Sequence, residues 1–248
     1  MPCPGIGRRT ATVYAQNGIQ NLALASTSRT NLEKARAELN AQFPHVRVEI
    51  FVLDVSKEDQ VKATVQAVAE KFGRIDIAVH GAAVPGVPGP THESETADWQ
   101  RLLDVNLTGV MLCEKYIIRQ MLGQELRPGY EGRGMIVNIS SIFGLTVPDG
   151  ALGASAYAAA KHAMIGMTKM DAKTYAKDGI RINVICPGFV ETPLTEGKLD
   201  MIPFEIEKAP LKRPAETEEI ANAILFLTSR MGSFMCASVL VVDGGYTS

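Results

Sequence analysis

The sequence predicts an α/β fold, a mostly parallel sheet covered by helices on both faces. Three observations carry this. Short apolar runs rich in β-branched residues alternate with helical patterns along the chain, as repeated strand–helix–strand units require. The runs are continuously apolar, which marks strands buried on both faces. No repeat, low-complexity block or charged tail divides the 248 residues. Residues 1–248 therefore read as one domain, within reach of one large α/β unit.

The elements follow in order. Strands are expected at 22–25, 46–55, 75–79, 135–139, 180–185 and 239–242. Helices are expected near 6–16, 30–41, 57–72, 97–126, 155–177 and 215–230. Thr30 with Glu33, and Ser56 with Asp59, have capping-box spacing, and Pro214 precedes a glutamate-rich first turn. Ligands of such sheets bind beyond the carboxyl ends of the strands. The stretches 84–90 and 191–197 lie at such ends and read as loops over a site.

Composition narrows the partners. Hydrophobic residues make up 46% and charged residues 21%, the balance of a soluble globular protein. A net charge of −2 excludes an electrostatic nucleic-acid or anionic-membrane footprint. No apolar run approaches membrane-spanning length, and the start lacks a signal-peptide pattern. Cys3, Cys113, Cys186 and Cys236 are too scattered for a ligand set. They read as reduced thiols with no metal site. The expectation is a cytoplasmic protein that acts on a small molecule, with no nucleic-acid or membrane partner.

The chemistry centres on Tyr157 and Lys161, separated by three alanines. Residues four apart share a helix face, so phenol and ammonium can share a pocket. A nearby cation favours phenolate and lowers the tyrosine pKa from about 10. Such a group can exchange a proton with a carbonyl or alcohol oxygen. Upstream, one strand ends in Ser140 and Ser141, and Asn106 sits in a helical pattern between Asp104 and Gly109. Strand alternation turns Ser140 to the face opposite Ser141. Downstream, Pro187 and Gly188 close a strand, Thr192 follows, and Asp243 and Gly245 lie near the C-terminus.

These motifs, in this order and from about Gly5 to the C-terminus, resemble the short-chain dehydrogenase/reductase family. The resemblance implies a Rossmann-like doubly wound parallel sheet. It also implies a catalytic set of Asn106, Ser141, Tyr157 and Lys161. Tyr157 is then the general acid/base and Ser141 binds the substrate oxygen. Lys161 holds the nicotinamide ribose and lowers the Tyr157 pKa, and Asn106 positions a relay water. His162 is left as a structural or interface residue. Pro187, Gly188, Val190 and Thr192 match nicotinamide-side contacts, and Asp54 with Val55 matches the adenine side. The family's dimers and tetramers imply a homodimer or homotetramer through helices 102–126 and 155–177.

The nucleotide half departs from the family pattern. Only Gly5, Ile6 and Gly7 remain of the glycine loop, and residues 1–4 stand where a hydrophobic first strand should precede it. The first central strand is thus missing. That leaves a gap of roughly 10 Å or two unpaired ladders, unless some 10–20 further residues supply strand and turn. Ser26 stands where NAD-preferring relatives carry an acid. With Arg29 nearby this tilts the cofactor from NAD(H) to NADP(H), although Arg29 reads equally as a solvated charge at the start of a helix. His80, Gly81 and Ala82 replace an Asn-Asn-Ala segment; His80 is either a hydrogen-bonding substitute or a neutral filler. Leu194, Leu199, Met201, Ile202 and Phe204 form either an apolar lid or ordinary core. The expected activity is NAD(P)-dependent interconversion of a secondary alcohol and a ketone or aldehyde on a small apolar substrate, with cofactor binding impaired by the incomplete loop. The alternative is a redox-inactive member of the fold: an isomerase, dehydratase or cyclase, or a non-catalytic partner.

Overall fold

The structure, a computed structural model, describes residues 5–126, 132–197 and 199–248, the side chains of Ala151 and Met201 excepted. Residues 1–4, Cys3 among them, lie outside the described residues. The elements are α1 (Ile6–Gln16), β1 (Asn21–Ser26), α2 (Arg29–Gln42), β2 (Arg47–Val52), α3 (Glu58–Phe72), β3 (Ile77–His80) and α4 (Thr96–Leu103). They continue with α5 (Gly109–Leu122), β4 (Gly134–Ile139), α6 (Ser155–Tyr175), β5 (Ile180–Pro187), α7 (Pro203–Ile206), α8 (Thr217–Thr228) and β6 (Val239–Val242).

Two helix starts differ from expectation. Ser28, not Thr30, caps α2, its hydroxyl accepting from the Asn31 amide at 3.3 Å. At α3 the expected cap, Ser56, lies one residue too early and donates its hydroxyl to Asp54 Oδ1 at 2.7 Å; Lys57 precedes the helix without a side-chain cap. The capping box that does form is Glu216 with Glu219 at α8. There Arg213 grips both oxygens of Glu219 at 2.8 Å and holds its carboxyl down at about 2.

Every strand pairing is parallel, as continuously apolar strands require. The described strands nevertheless form two ladders, β1–β2 and β3–β4–β5–β6. Among the described residues no strand pairs β1 with β3, and the break between the ladders falls there.

Two apolar layers bridge the break. On one face Leu22 and Leu24 of β1 share a cluster with Ile77 and Val79 of β3 and with Val137 and Ile139 of β4. Ala11 and Tyr14 of α1, and Ile220, Ile224 and Leu227 of α8, cover it. On the other face Leu53 and Val61 join Ala78, Ile136 and Ile182 beneath Leu112, Ile117 and Met121 of α5 and Ala172 of α6. A fully buried side chain of this size contributes about 1.5–3 kcal/mol. Cover of this kind on both faces offsets the backbone pairing lost between the ladders. Tyr14 adds a buried hydrogen bond to Thr228 at 2.9 Å, tying α1 to α8.

Candidate active site

β4, β5 and α6 bring the predicted residues together. Ser141 follows β4 and caps a short 3-10 turn (Ile142–Gly144), accepting from the Phe143 amide at 3.1 Å. Its hydroxyl also hydrogen-bonds the Tyr157 phenol. The turn packs so tightly on α6 that a Cβ on Gly144 would lie 2.7 Å from Ser140 Oγ and 2.8 Å from both Ile165 Cδ1 and the Lys161 carbonyl oxygen. Ser140, expected on the face opposite Ser141, also meets α6: its hydroxyl donates to the Lys161 carbonyl at 3.0 Å.

Lys161 is 2% exposed. Its Nζ donates to the Ile139 carbonyl at 2.8 Å and lies 5.5 Å from the centre of the Tyr157 ring. Burial brings the ammonium down to about 8. Burial also pushes the Tyr157 phenol above its ordinary value, with the Ser141 hydroxyl drawing it part of the way back. The expected lowering of Tyr157 by Lys161 is therefore corrected: burial sets the direction, and the opposing pull comes from the Ser141 hydroxyl.

Asn106 lies in a single π turn (Asp104–Thr108) between α4 and α5 and is fully buried. Its amide clamps one residue of the loop after β3, accepting from the Val84 N–H at 2.8 Å and donating to the Val84 carbonyl at 2.9 Å. Two residues on, a Cβ at Gly86 would lie 3.7 Å from Tyr157 Cβ. The loop therefore does lie over the site. It meets the loop after Ser141 where the Gly89 amide donates to the Gly153 carbonyl at 3.3 Å.

Residues 3–247 match the family described as Enoyl-(Acyl carrier protein) reductase. The chain is 37% identical over 245 residues to a cis-4-hydroxycyclohexanecarboxylate dehydrogenase of Sinomonas cyclohexanicum, covering 98% of this chain and 93% of that protein. It is 36% identical to a levodione reductase of Leifsonia aquatica, covering 98% of this chain and 91% of that protein. This chain belongs to the short-chain dehydrogenase/reductase family. The crystal structure of levodione reductase superposes with a TM-score of 0.89 at 36% identity, covering 97% of this chain and 93% of that one. A structure of ElxO with NADP bound gives 0.86 at 30% identity, covering 98% and 94%.

The remaining short-chain dehydrogenase/reductase positions are distributed around the strand ends. Gly5 precedes α1 with no side-chain cap, and a Cβ at Gly5 or Gly7 would meet nothing within 4 Å. The first turn of α1 is thus left without a side-chain cap, and side chains of the described residues do not crowd Gly5 or Gly7. Ile6 packs against the core. Ser26 ends β1, its hydroxyl accepting from the Ser28 amide at 3.3 Å, and exposed Arg29 lies 3.9 Å from Glu33. Asp54 accepts from the Ser56 hydroxyl and amide, which keep its carboxyl below the ordinary range, while Val55 abuts Gly109. Ala82 is exposed. Pro187 ends β5 and the Gly188 amide donates to the Val242 carbonyl at 2.9 Å. Buried Val190 bridges Ala215, and Thr192 shares a turn with Thr195. His162 is exposed, its Nδ1 bonded to the Ala158 carbonyl at 2.9 Å.

His80 is both a hydrogen-bonding group and a neutral one. Its Nδ1 lies 2.8 Å from Asn138 Oδ1, which can only accept, so Nδ1 carries the proton. Burial lowers its pKa to about 4. Asn138 passes the network on to buried Glu114 at 2.7 Å and Thr168 at 2.8 Å. Burial pushes the Glu114 carboxyl well above the usual carboxylate range. Sequence reading missed Glu114, Glu205 and Tyr246; only Tyr246 carried a signal, its place directly after Asp243 and Gly245. The core reading of 194–204 is corrected at Leu194 and Phe204, which are 37% and 44% exposed. No group of three or more potential metal ligands occurs among the described residues. No helix there is long and apolar enough to cross a membrane.

Proposed function

We propose that this short-chain dehydrogenase/reductase interconverts a secondary alcohol and a ketone or aldehyde on a small apolar molecule, using NADP(H) in preference to NAD(H). The observation that carries the reading is the Ser141–Tyr157 hydrogen bond above the buried Lys161 ammonium. In reduction Tyr157 gives its proton to the carbonyl oxygen, and in oxidation it takes the proton back. Ser141 steers that oxygen, and Lys161 supplies positive charge beneath the ring as negative charge develops. Asn106 holds the covering loop through Val84. A bound nicotinamide supplies or accepts the hydride.

The residues that would hold that group are Gly5, Ile6 and Gly7 at the pyrophosphate, and Ser26 and Arg29 at the adenosine ribose. Asp54 and Val55 serve the adenine; His80, Ala82, Lys161, Pro187, Gly188, Val190 and Thr192 serve the nicotinamide half. Exposed Arg29 and the Ser26 hydroxyl support the NADP(H) preference, since a 2′-phosphate takes a cation and donors. Exposed Met111, Leu122 and Met170 on α5 and α6 support a homodimer or homotetramer through these helices. Free thiols at Cys113, Cys186 and Cys236 are compatible with the reducing cytoplasm. The two shared apolar layers support treating residues 1–248 as one domain.

The test is titration with NADPH and NADH, followed by nicotinamide fluorescence and thermal shift, together with cyclohexanone turnover. Arg29→Ala should weaken NADPH binding and spare NADH. Failure to bind either nucleotide, with a redox-neutral turnover abolished by Tyr157→Phe, would decide for the redox-inactive alternative.

A further inference from the structure

Glu205 lies in the four-residue helix α7, yet it is 0% exposed. A carboxylate so placed is stable only if its oxygens are satisfied. Its own neighbour Lys208 and two segments distant in sequence satisfy them. The Asp149 amide, in the loop after Ser141, donates to Oε1 at 2.9 Å. The Lys208 ammonium donates to the same oxygen at 2.6 Å. The Tyr246 hydroxyl, two residues from the C-terminus, donates to Oε2. Burial alone would raise this carboxyl; Lys208, Tyr246 and the Asp149 amide outweigh it and keep the group ionised.

The Tyr246 ring continues the connection. It packs edge-on against Phe143 at 6.5 Å and Phe189 at 5.9 Å, and those two rings lie 5.9 Å apart. Phe143 is the residue whose amide donates to Ser141 Oγ, and Phe189 follows Gly188 at the end of β5. One route from Glu205 thus reaches the Ser141 hydroxyl through Tyr246 and Phe143. A second runs through the Asp149 amide into the loop that leads to Tyr157.

We infer that Glu205 is a positioning residue, a buried carboxylate latch that ties α7, the loop after Ser141 and the C-terminal Tyr246 into one closed wall beside Ser141 and Tyr157. The inference rests on the proposed alcohol–ketone chemistry for its kinetic consequence, but not for its structural one. Released from the carboxylate, α7 and the loop after Ser141 lose their common anchor, and a carbonyl substrate is held less well.

The test compares Glu205→Gln, which keeps the shape and removes the charge, with Tyr246→Phe, which keeps the ring packing and removes one donor. Hydrogen exchange of the Asp149 amide and its loop in the full chain reads the latch without any turnover. Both variants should exchange faster there, with β4 and β5 protected as before. With cyclohexanone, KM should rise roughly tenfold to hundredfold, as expected when a positioning contact is lost. The nicotinamide affinity should stay within about twofold, since no latch residue is among those assigned to the nucleotide. The double variant should add little to either single one. Unchanged exchange at Asp149 in both variants would overturn the latch. Faster exchange without any redox turnover would uphold it and count instead against the proposed reaction.

Discussion

Lys161 and Tyr157 are one helical turn apart, and the ammonium lies under the phenol ring, 5.5 Å from its centre, while donating to the Ile139 carbonyl. Each group has the opposite effect of burial to bear: the phenol is pushed up and the ammonium is brought down to about 8. At neutral pH the pair is therefore a protonated phenol above a charged lysine, the state required to deliver a proton to a carbonyl.

This state predicts opposite pH profiles for the two directions. Reduction uses the protonated phenol and should hold through neutral pH, falling only in the alkaline range. Oxidation needs the phenolate and should rise with pH. Tyr157→Phe should lower kcat/KM about 10²–10⁴-fold while nicotinamide binding persists. Steady-state profiles in both directions, beside a direct binding titration, check this; parallel pH profiles would count against Tyr157 as the proton carrier.

Lys161→Met should separate activity from stability. The folded pKa of Lys161, about 8, lies below its ordinary 10.5. The unfolded chain thus binds more protons between these values, and stability rises with pH across that window. Removing the buried charge should raise Tm at pH 7 by several degrees, of the order of ~1–4 kcal/mol. It should flatten the rise above pH 8 and abolish turnover. Thermal melts at pH 7, 8, 9 and 10 measure each effect.

His80 predicts the acid side. Its folded pKa of about 4 lies below the ordinary 6.5, so its contribution is complete above about 6.5 and lost as pH falls towards 4. His80→Asn should reduce the loss of Tm between pH 6.5 and 4 and change stability at pH 8 by no more than ~1 kcal/mol. An unaltered acid slope in the variant would assign that slope to other groups.

Gly144→Ala tests the tight contact between the Ser141 turn and α6. The added methyl would press on Ser140, Ile165 and the Lys161 carbonyl at under 3 Å. Destabilisation of about 1–3 kcal/mol is expected, with kcat lowered more than nicotinamide affinity. Urea denaturation and steady-state kinetics give both numbers.

The break between β1 and β3 predicts a gain rather than a loss. A prefix of about six apolar residues and a glycine-rich turn, joined ahead of Gly5, should add a strand between the ladders. Nicotinamide Kd should then fall at least roughly tenfold and Tm should rise, because apolar area and backbone pairing are both gained. Calorimetry on both chains, with a scrambled polar prefix as control, is the measurement.

Much of this was legible in the sequence. The run 6–16 is α1 to the residue, and the expected strands and helices appear within a few residues, except that the single helix expected at 97–126 is two, α4 and α5, joined by the π turn. The four catalytic candidates came from the family resemblance that the order and spacing of the motifs carry, and the structure sets Ser141, Tyr157 and Lys161 side by side. What was not legible depends on contacts across the chain. Glu205 and Tyr246 are 41 residues apart, in a short helix and a tail with no common period. The π turn at Asn106 adds one residue to a helical pattern without marking the sequence. The direction of the Tyr157 shift depended on how deeply the phenol is buried, which the spacing of two residues on a helix does not contain. Ser28 was overlooked as the α2 cap because Thr30 with Glu33 offered a pattern that the backbone does not use.

The division of the sheet also divides the labour. Ser26, Arg29, Asp54 and Val55 belong to the β1–β2 ladder and its flanks, whereas Ser141, Tyr157, Lys161, Pro187 and Gly188 belong to the four-stranded one. In the proposed function, the residues assigned to the adenosine end and those assigned to proton transfer thus stand on different ladders, joined among the described residues by side-chain packing and by links such as the Lys115–Glu58 ion pair at 2.6 Å. A substitution in either shared apolar layer is therefore felt on both ladders, whichever of the two jobs it lies nearer to.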